Sequence, residues 1–463
     1  VKSRLADGRL QAWVTAGYLG AMATVFLLFW GFEGYGNITT PKFWAFCILS
    51  GVYVAFMAAL AAARVIFRLT KKPWGECLWH ASPAQWAAIA YAGITWASAI
   101  CSPYWPDTLW GISRYEGAAT ITLYVAVFLL VSVYGRPGRW LLWALAGAVT
   151  LFSALCLVQL SGFNPFDLYP QGYSYLDAGK AYAGAYLGTL GNVDLVAAFF
   201  SLVIPLLFYL LLRQKDLSRF LLLVPLGLSL WAAAWMGVSA GYLGIGAGCV
   251  LAFPIAGATE KKHRAAAGAL LGGALVLGLA LVFFWDAGGG MLHEAHQMLH
   301  GEFDGRFGSG RVHIWQEVLQ KLPGHLLLGY GPDTMLRAGL TPFTRYDAAL
   351  GGTVVGHIDV AHNEYLNVLF HQGLMALAAY LAMLATLFYR WMHTAKTNTT
   401  AAALGAGTLG YCVQALFGFS MCITAPFFWL TLALLESSCK RATAPVPPQN
   451  GKNLFRPPRL PRG

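Results

Sequence analysis

The chain has 463 residues, of which 57% are hydrophobic and only 11% charged, and its mean hydropathy is +0.56. Soluble domains average about 25% charged residues, so the composition excludes a soluble globular protein and indicates an integral membrane one. A net charge of +11 would suit an anionic partner, but no basic groove with interleaved aromatics accompanies it, so nucleic-acid binding is not expected.

Windows of about 20 apolar residues predict twelve spans, at about 12–32, 42–63, 83–103, 117–134, 140–160, 191–212, 219–238, 241–259, 265–285, 363–389, 400–420 and 424–437. The opening residues "VKSRLADGRLQ" are basic and run into a full-length span with no small-residue cleavage site. That span is read as the first transmembrane helix rather than a signal peptide. With the N-terminus cytoplasmic, Arg64, Arg68, Lys71 and Lys72, then Arg213, Lys215 and Arg219, and then Lys261, Lys262 and Arg264 fall inside. The short outer loops hold only Lys42, Arg114 and Lys180, and that asymmetry predicts both ends in the cytoplasm. Seventeen Trp and 21 Tyr suit aromatic belts at the two interfaces. The eight Cys are scattered without a CxxC pair, so neither a disulfide framework nor a Cys-type zinc site is indicated. The basic tail "KNLFRPPRLPRG" reads as a disordered cytoplasmic end facing lipid headgroups.

Four regions follow: a transmembrane region over 1–285, an extracytoplasmic loop over 286–361, a second transmembrane region over 362–437, and the tail over 438–463. Seven of the eleven His fall between 293 and 362, which points to the outer loop as the place of chemistry. Within it, "GSGRVHIWQEVLQKLPGHLLLGYGPDT" predicts a helix with Ser309 as N-cap and Trp315, Val318, Leu319 and Leu322 on one face. Arg311 then occupies the first turn, either as an exposed Arg or as a fork for a phosphate at the helix N-terminus. Asp359 is a candidate N-cap for the tenth span and puts His362 in its first turn. There the imidazole is either a hydrogen-bonded helix-end residue or a proton acceptor. Arg114 is either paired with neighbouring Glu116 or functional. His293, His296 and His300 stand at i, i+3 and i+7 of a possible helix, a spacing that could hold zinc but is not HExxH. His371, inside a span, has no evident role.

The run "GSGRVHIWQEVLQKLPGHLLLGYGPDT" followed by "DVAHNEYLNVLFHQGLMALAAY" resembles the signature region of the O-antigen ligase and polymerase superfamily. "YLGTLGNVDLVAAFFSLVIPL" (186–206) and "RYEGA" (114–118) are similar to further motifs of that family, and the resemblance spans roughly residues 100–435. Two departures stand out: Asp194 where the family usually has Asn, and Ser239-Ala240-Gly241 where it commonly has Ser-Arg-Gly.

The resemblance implies an all-α polytopic membrane protein of about twelve transmembrane helices with one large, partly helical extracytoplasmic loop, a GT-C-like glycosyltransferase architecture. It implies an enzyme of the bacterial cytoplasmic membrane that moves a glycan from an undecaprenyl diphosphate carrier to an acceptor hydroxyl on the outer face. Transfer would invert the anomeric carbon and need neither metal nor cofactor. Its partners would be the lipid-linked donor, a glycan or glycolipid acceptor and membrane lipids. His362 and Arg311 would be catalytic, and Arg114, Arg311 and Lys180 would bind the pyrophosphate. Asn363, Glu364, Glu116, Trp315 and Tyr330 would support the site or bind acceptor, with packing the commoner role for Trp315. A polysaccharide polymerase using the same donor chemistry, a transporter, and a non-catalytic glycan-binding membrane protein are the alternatives.

Overall fold

A computed structural model describes residues 8–31, 38–66, 81–168, 174–175, 180–181, 187–257, 260–347 and 352–443. Fourteen α-helices are found among them. In chain order they are α1 (Arg9–Ala21, prolonged by a π-segment Met22–Phe26), α2 (Thr39–Ile66), α3 (Pro83–Cys101), α4 (Ala118–Tyr134) and α5 (Arg139–Leu160). Then come α6 (Val193–Arg213), α7 (Leu223–Ala234), α8 (Ser239–Gly246, prolonged by π-turns to Gly257) and α9 (Lys261–Phe284). The outer segment contributes α10 (Gly290–Leu299) and α11 (Phe307–Lys321), and the chain closes with α12 (Glu364–Thr394), α13 (Thr399–Gln414) and α14 (Ala425–Thr443). A helix lies in each of the twelve apolar segments. Among the described residues, seven stretches are long and apolar enough by themselves to cross a membrane: α2, α5, α6, α7 with its preceding turn, α8 with its π-turns, α9 and α12.

The packing explains the difference between apolar helices. α6 is apolar all round, 83% of its span is buried, and it forms the centre of the bundle against α13 and α8. α9 is as apolar but has no buried residue, so most of its surface faces outward, as a lipid-facing helix does. Around the site α12 packs on α3, and α14 packs on α4.

The loop between α11 and α12 is seated by a break in α12. Gly373 has φ 81 and ψ 178, which interrupts the helix after Gln372. Four of the backbone groups at the break bond to the segment 326–331. Tyr330 N donates to Phe370 O at 2.9 Å and Gly331 N to His371 O at 2.8 Å. Leu374 N donates to Leu326 O at 2.8 Å. Ser98 and Ser102 of the α3 end fasten the crossing through their hydroxyls, which donate to His371 O and Tyr330 O. The approach is so close that a Cβ on Gly373 would sit 2.2 Å from Leu327 O, and one on Gly329 2.5 Å from the His371 backbone. Both positions need glycine.

Several expectations are corrected. α11 begins at Phe307, with Arg306 rather than Ser309 at its N-cap position. Gly308 and Gly310 carry φ of 61 and 87, so regular helical geometry starts at Arg311, which stands at the beginning of a helix as expected. Asp359 does not cap α12. Asn363 does, its side chain accepting from Leu366 N at 3.0 Å. His362 therefore lies just before the helix, in a left-handed conformation with φ 47. Lys42 is no loop cation: it is fully buried in α2, and its Nζ donates to Phe26 O at 2.5 Å and Leu27 O at 3.1 Å, satisfying carbonyls at the end of the first span. α14 continues to Thr443, past the expected start of the tail at 438, and the rest of the tail lies outside the described residues. The outer segment also holds an antiparallel hairpin, Phe343–Asp347 with Gly352–Gly356, that periodicity did not suggest.

Candidate active site

The site is assembled from three stretches: the turn before α4, the loop preceding and including α11 up to residue 333, and the entrance to α12. Asp333 joins the first two. Its carboxylate is 2% exposed and accepts from Ser113 N (3.0 Å), Ser113 Oγ (2.8 Å) and Arg114 N (2.8 Å). Asp333 itself adopts φ 54, a conformation that Asp tolerates better than most side chains. Burial raises its pKa against the lowering pull of those donors. Asp333 ends the Gly-Tyr-Gly-Pro-Asp turn, and its sequence context alone offered no hint that it would organise a turn 220 residues earlier.

Arg114 is thereby aimed across the site. Its Nε and Nη2 both reach Asp359 Oδ2, at 3.0 and 2.8 Å. Its guanidinium lies 4.3 Å above the ring of Phe419. Of the two alternatives for Arg114, the pair with Glu116 does not form: Glu116 Oε1 accepts from Tyr124 OH at 2.7 Å instead. Burial is the chief reason the Glu116 carboxyl is held well above the usual carboxylate range.

His362 meets the same Phe419 ring edge-on, with centroids 5.4 Å apart at 85°. Its position is enforced from the preceding residue. Trp315 Nε1 donates to Ala361 O at 2.8 Å, and Ala361 N donates to Asn367 Oδ1 at 2.7 Å, so Ala361 is clamped on both sides. Trp315 thus anchors the chain entering His362 and packs into the loop core with Ile314, Val318 and Phe370. His362 Nδ1 is buried without a hydrogen-bond partner. Burial, then the positive charges of Arg311 and Arg114, lower its pKa to about 3, so the imidazole is neutral with a lone pair available. Arg311 donates through Nη1 to Gly308 O at 2.7 Å, while its Nε is buried and unpartnered. Three of the expected residues, Arg114, Arg311 and His362, are therefore brought together from points about 250 residues apart in the chain.

The remaining expectations divide. Asn363 is spent on capping α12, and Glu364, 6% exposed, accepts from Tyr380 OH at 2.6 Å through Oε1. Tyr330 is stacked between His325 (4.0 Å) and Phe370 (4.8 Å), and its hydroxyl donates to Lys321 O, so it is committed to the loop crossing. Lys180 pairs through its backbone with Tyr175 in a two-residue ladder, and its side chain lies outside the described residues. Asn192 caps α6 by accepting from Asp194 N at 2.7 Å. Ala240, where the family commonly has Arg, is 5% exposed on α8 and serves packing.

His293 and His296 lie on a helix, α10, with His300 at its C-cap, but their ring nitrogens and faces are engaged by neighbouring groups. His293 Nδ1 is 2.5 Å from Asp286 Oδ1, His296 bonds Val282 O at 2.8 Å, and His300 stacks on Phe283 at 4.5 Å. Among the described residues no group of three His, Cys, Asp or Glu is placed to share a cation.

Beneath Arg114 a cavity of about 600 Å³, counting its open side, runs into the bundle between α3, α4, α12 and α14. Asn367, His371 and Gln372 line it, and nothing in the sequence distinguished Asn367 or Gln372 from other polar residues of an amphipathic helix.

No curated protein matches the chain. Residues 224–381 match the family described as O-Antigen ligase, a stretch that holds Arg311, Asp333, His362 and the broken half of α12 but not Arg114. That stretch is similar to the O-antigen ligase family, and it lies in a chain with several helices long and apolar enough to cross a membrane.

Proposed function

We propose that the chain is a membrane glycosyltransferase that moves a glycan from undecaprenyl diphosphate to an acceptor hydroxyl at the outer face of the bacterial cytoplasmic membrane. In this reading the chain crosses twelve times in a GT-C-like arrangement, with both ends in the cytoplasm. The observation that carries it is the neutral His362 imidazole, its Nδ1 buried and unpartnered, set beside Arg311, whose Nε is also buried and unpartnered.

The neutral imidazole accepts the acceptor's O–H proton as the oxygen attacks the anomeric carbon. The carbon–oxygen bond to the diphosphate breaks on the opposite side, which inverts the anomeric centre. Arg311 stabilises the charge gathering on the departing diphosphate. Arg114, already engaged by Asp359, holds the entrance and adds to the positive field. A bound diphosphate offsets the two arginines and raises His362 toward its ordinary basicity, so the base strengthens when the donor is in place. Positive charge comes from arginine rather than from a metal ion, and no cofactor is needed.

In cells that accumulate lipid-linked glycan, His362→Ala and Arg311→Ala are each expected to abolish transfer while inserting normally. Transfer at wild-type rate in both variants refutes the assignment. In a deletion strain, accumulation of full-length carrier-linked polymer identifies a ligase and accumulation of single repeat units a polymerase.

A further inference from the structure

The cavity under Arg114 is not explained by proton transfer or by diphosphate binding. Its polar groups are strongly buried and incompletely used. His371 is 8% exposed and Gln372 4%, yet His371 Nε2 and Gln372 Oε1 have no hydrogen-bond partner. Glu364 Oε2 is in the same condition, the Tyr411 hydroxyl standing near it but outside hydrogen-bond geometry. All three side chains line this one cavity. Unsatisfied buried polar atoms are costly, so such a cluster in one cavity marks a place where something else completes the bonds.

Another part of the lining is aromatic. Trp429 faces Tyr91 at 6.2 Å, Tyr124 at 6.0 Å and Tyr380 at 6.4 Å, and all four rings line the cavity. Two of these tyrosines hold carboxylates in place: Tyr124 donates to Glu116 and Tyr380 to Glu364. The lining holds four carboxyl groups, Glu116, Asp333, Asp359 and Glu364, and one cation, Arg114, which Asp359 already pairs. A phosphate is disfavoured by that balance, and a purely apolar ligand leaves the acceptors empty. A ligand that donates several hydrogen bonds and has an apolar C–H face satisfies both parts of the lining.

We propose that this cavity is a binding subsite for one hydroxyl-bearing sugar ring, recognised by Glu364, His371 and Gln372 and backed by Trp429. Its use in transfer rests on the function proposed above, with the ring belonging either to the donor or to the acceptor. The binding itself stands apart from catalysis and is tested without turnover.

The test is saturation-transfer NMR on the full chain in lipid nanodiscs, with methyl glycosides of glucose, galactose, mannose, rhamnose and N-acetylglucosamine as probes. At least one glycoside is expected to receive saturation in wild type. That signal is expected to fall at least fivefold in Gln372→Leu and in the near-isosteric Glu364→Gln, and to persist in His362→Ala, since His362 does not line the cavity. Absence of signal from all five probes, or equal signal in both cavity variants, overturns the subsite and leaves a cavity that holds water only. A second arm compares binding of undecaprenyl diphosphate with its N-acetylglucosamine-bearing form. Tighter binding of the sugar-bearing lipid that Gln372→Leu removes assigns the ring to the donor; equal binding in both proteins assigns it to the acceptor. Loss of transfer in His362→Ala with no glycoside bound by wild type overturns the subsite alone. Glycoside binding with transfer unharmed in His362→Ala overturns the catalytic role alone.

Discussion

Acidification is expected to expose how His362 is held. An imidazole ordinarily titrates near 6.5, but burial and the two arginines bring this one to about 3. The folded state therefore binds the proton more weakly than the unfolded chain does. A depressed folded-state pKa contributes stability that is fully present above 6.5 and is lost as pH falls toward 3. Between pH 7.5 and 5.0 the unfolded imidazole gains most of a proton while the folded one stays neutral. That is 1.5 pH units below its ordinary pKa at about 1.4 kcal/mol each, or about 2 kcal/mol of stability lost. His362→Gln removes the titrating group but leaves the rest of the chain. Denaturant unfolding of both proteins in detergent at the two pH values reads the difference directly. Wild type is expected to lose about 2 kcal/mol more than the variant. A difference between the two proteins that stays constant within about 0.5 kcal/mol across the range refutes the account of a buried neutral base.

Three further substitutions test how the site is built. Asp333→Ala removes an acceptor of three hydrogen bonds and is expected to destabilise by about 3 kcal/mol. It should also abolish transfer by releasing Arg114; unchanged unfolding with full transfer denies Asp333 that organising role. Gly373→Ala forces a side chain into φ 81 and against Leu327 O, at a cost of about 3 kcal/mol or more. Low membrane yield or proteolysis of the outer loop is the expected readout, and normal yield with normal melting argues against a tight crossing. Trp315→Phe deletes the bond to Ala361 O while keeping an aromatic ring. Stability should fall by about 1 kcal/mol and transfer by about tenfold, because the chain entering His362 loosens; a transfer rate equal to wild type shows that Ala361 needs no such clamp.

Much of this was legible in the sequence, because it depends on local pattern. Apolar runs of bilayer length gave away every helix of the bundle, and the Arg311 and His362 motifs stood out as polar groups beside apolar spans. The errors arose where a residue's partner was remote. Asp359 has the right chemistry for a helix cap, and so does Asn363. Which one caps depends on where Arg114 lies, and Arg114 takes Asp359. Lys42 looked like a loop cation because hydropathy does not show the carbonyls of Phe26 and Leu27 waiting for it. Nothing in local pattern marks Gly373 as the residue on which the crossing loop turns.

The sequence by itself determined the solvent, the helices and the kind of groups available to the site. Those follow from transfer free energies and backbone propensities summed along the chain. Only the tertiary structure decided which ionisable groups meet: Arg114 on Asp359, Asp333 under the Arg114 turn, two arginines beside one imidazole, and three polar atoms left open in an aromatic cavity. Charge interaction and burial depend on distance in space, and residues 114, 311 and 362 become neighbours only after α4, α11 and α12 have packed.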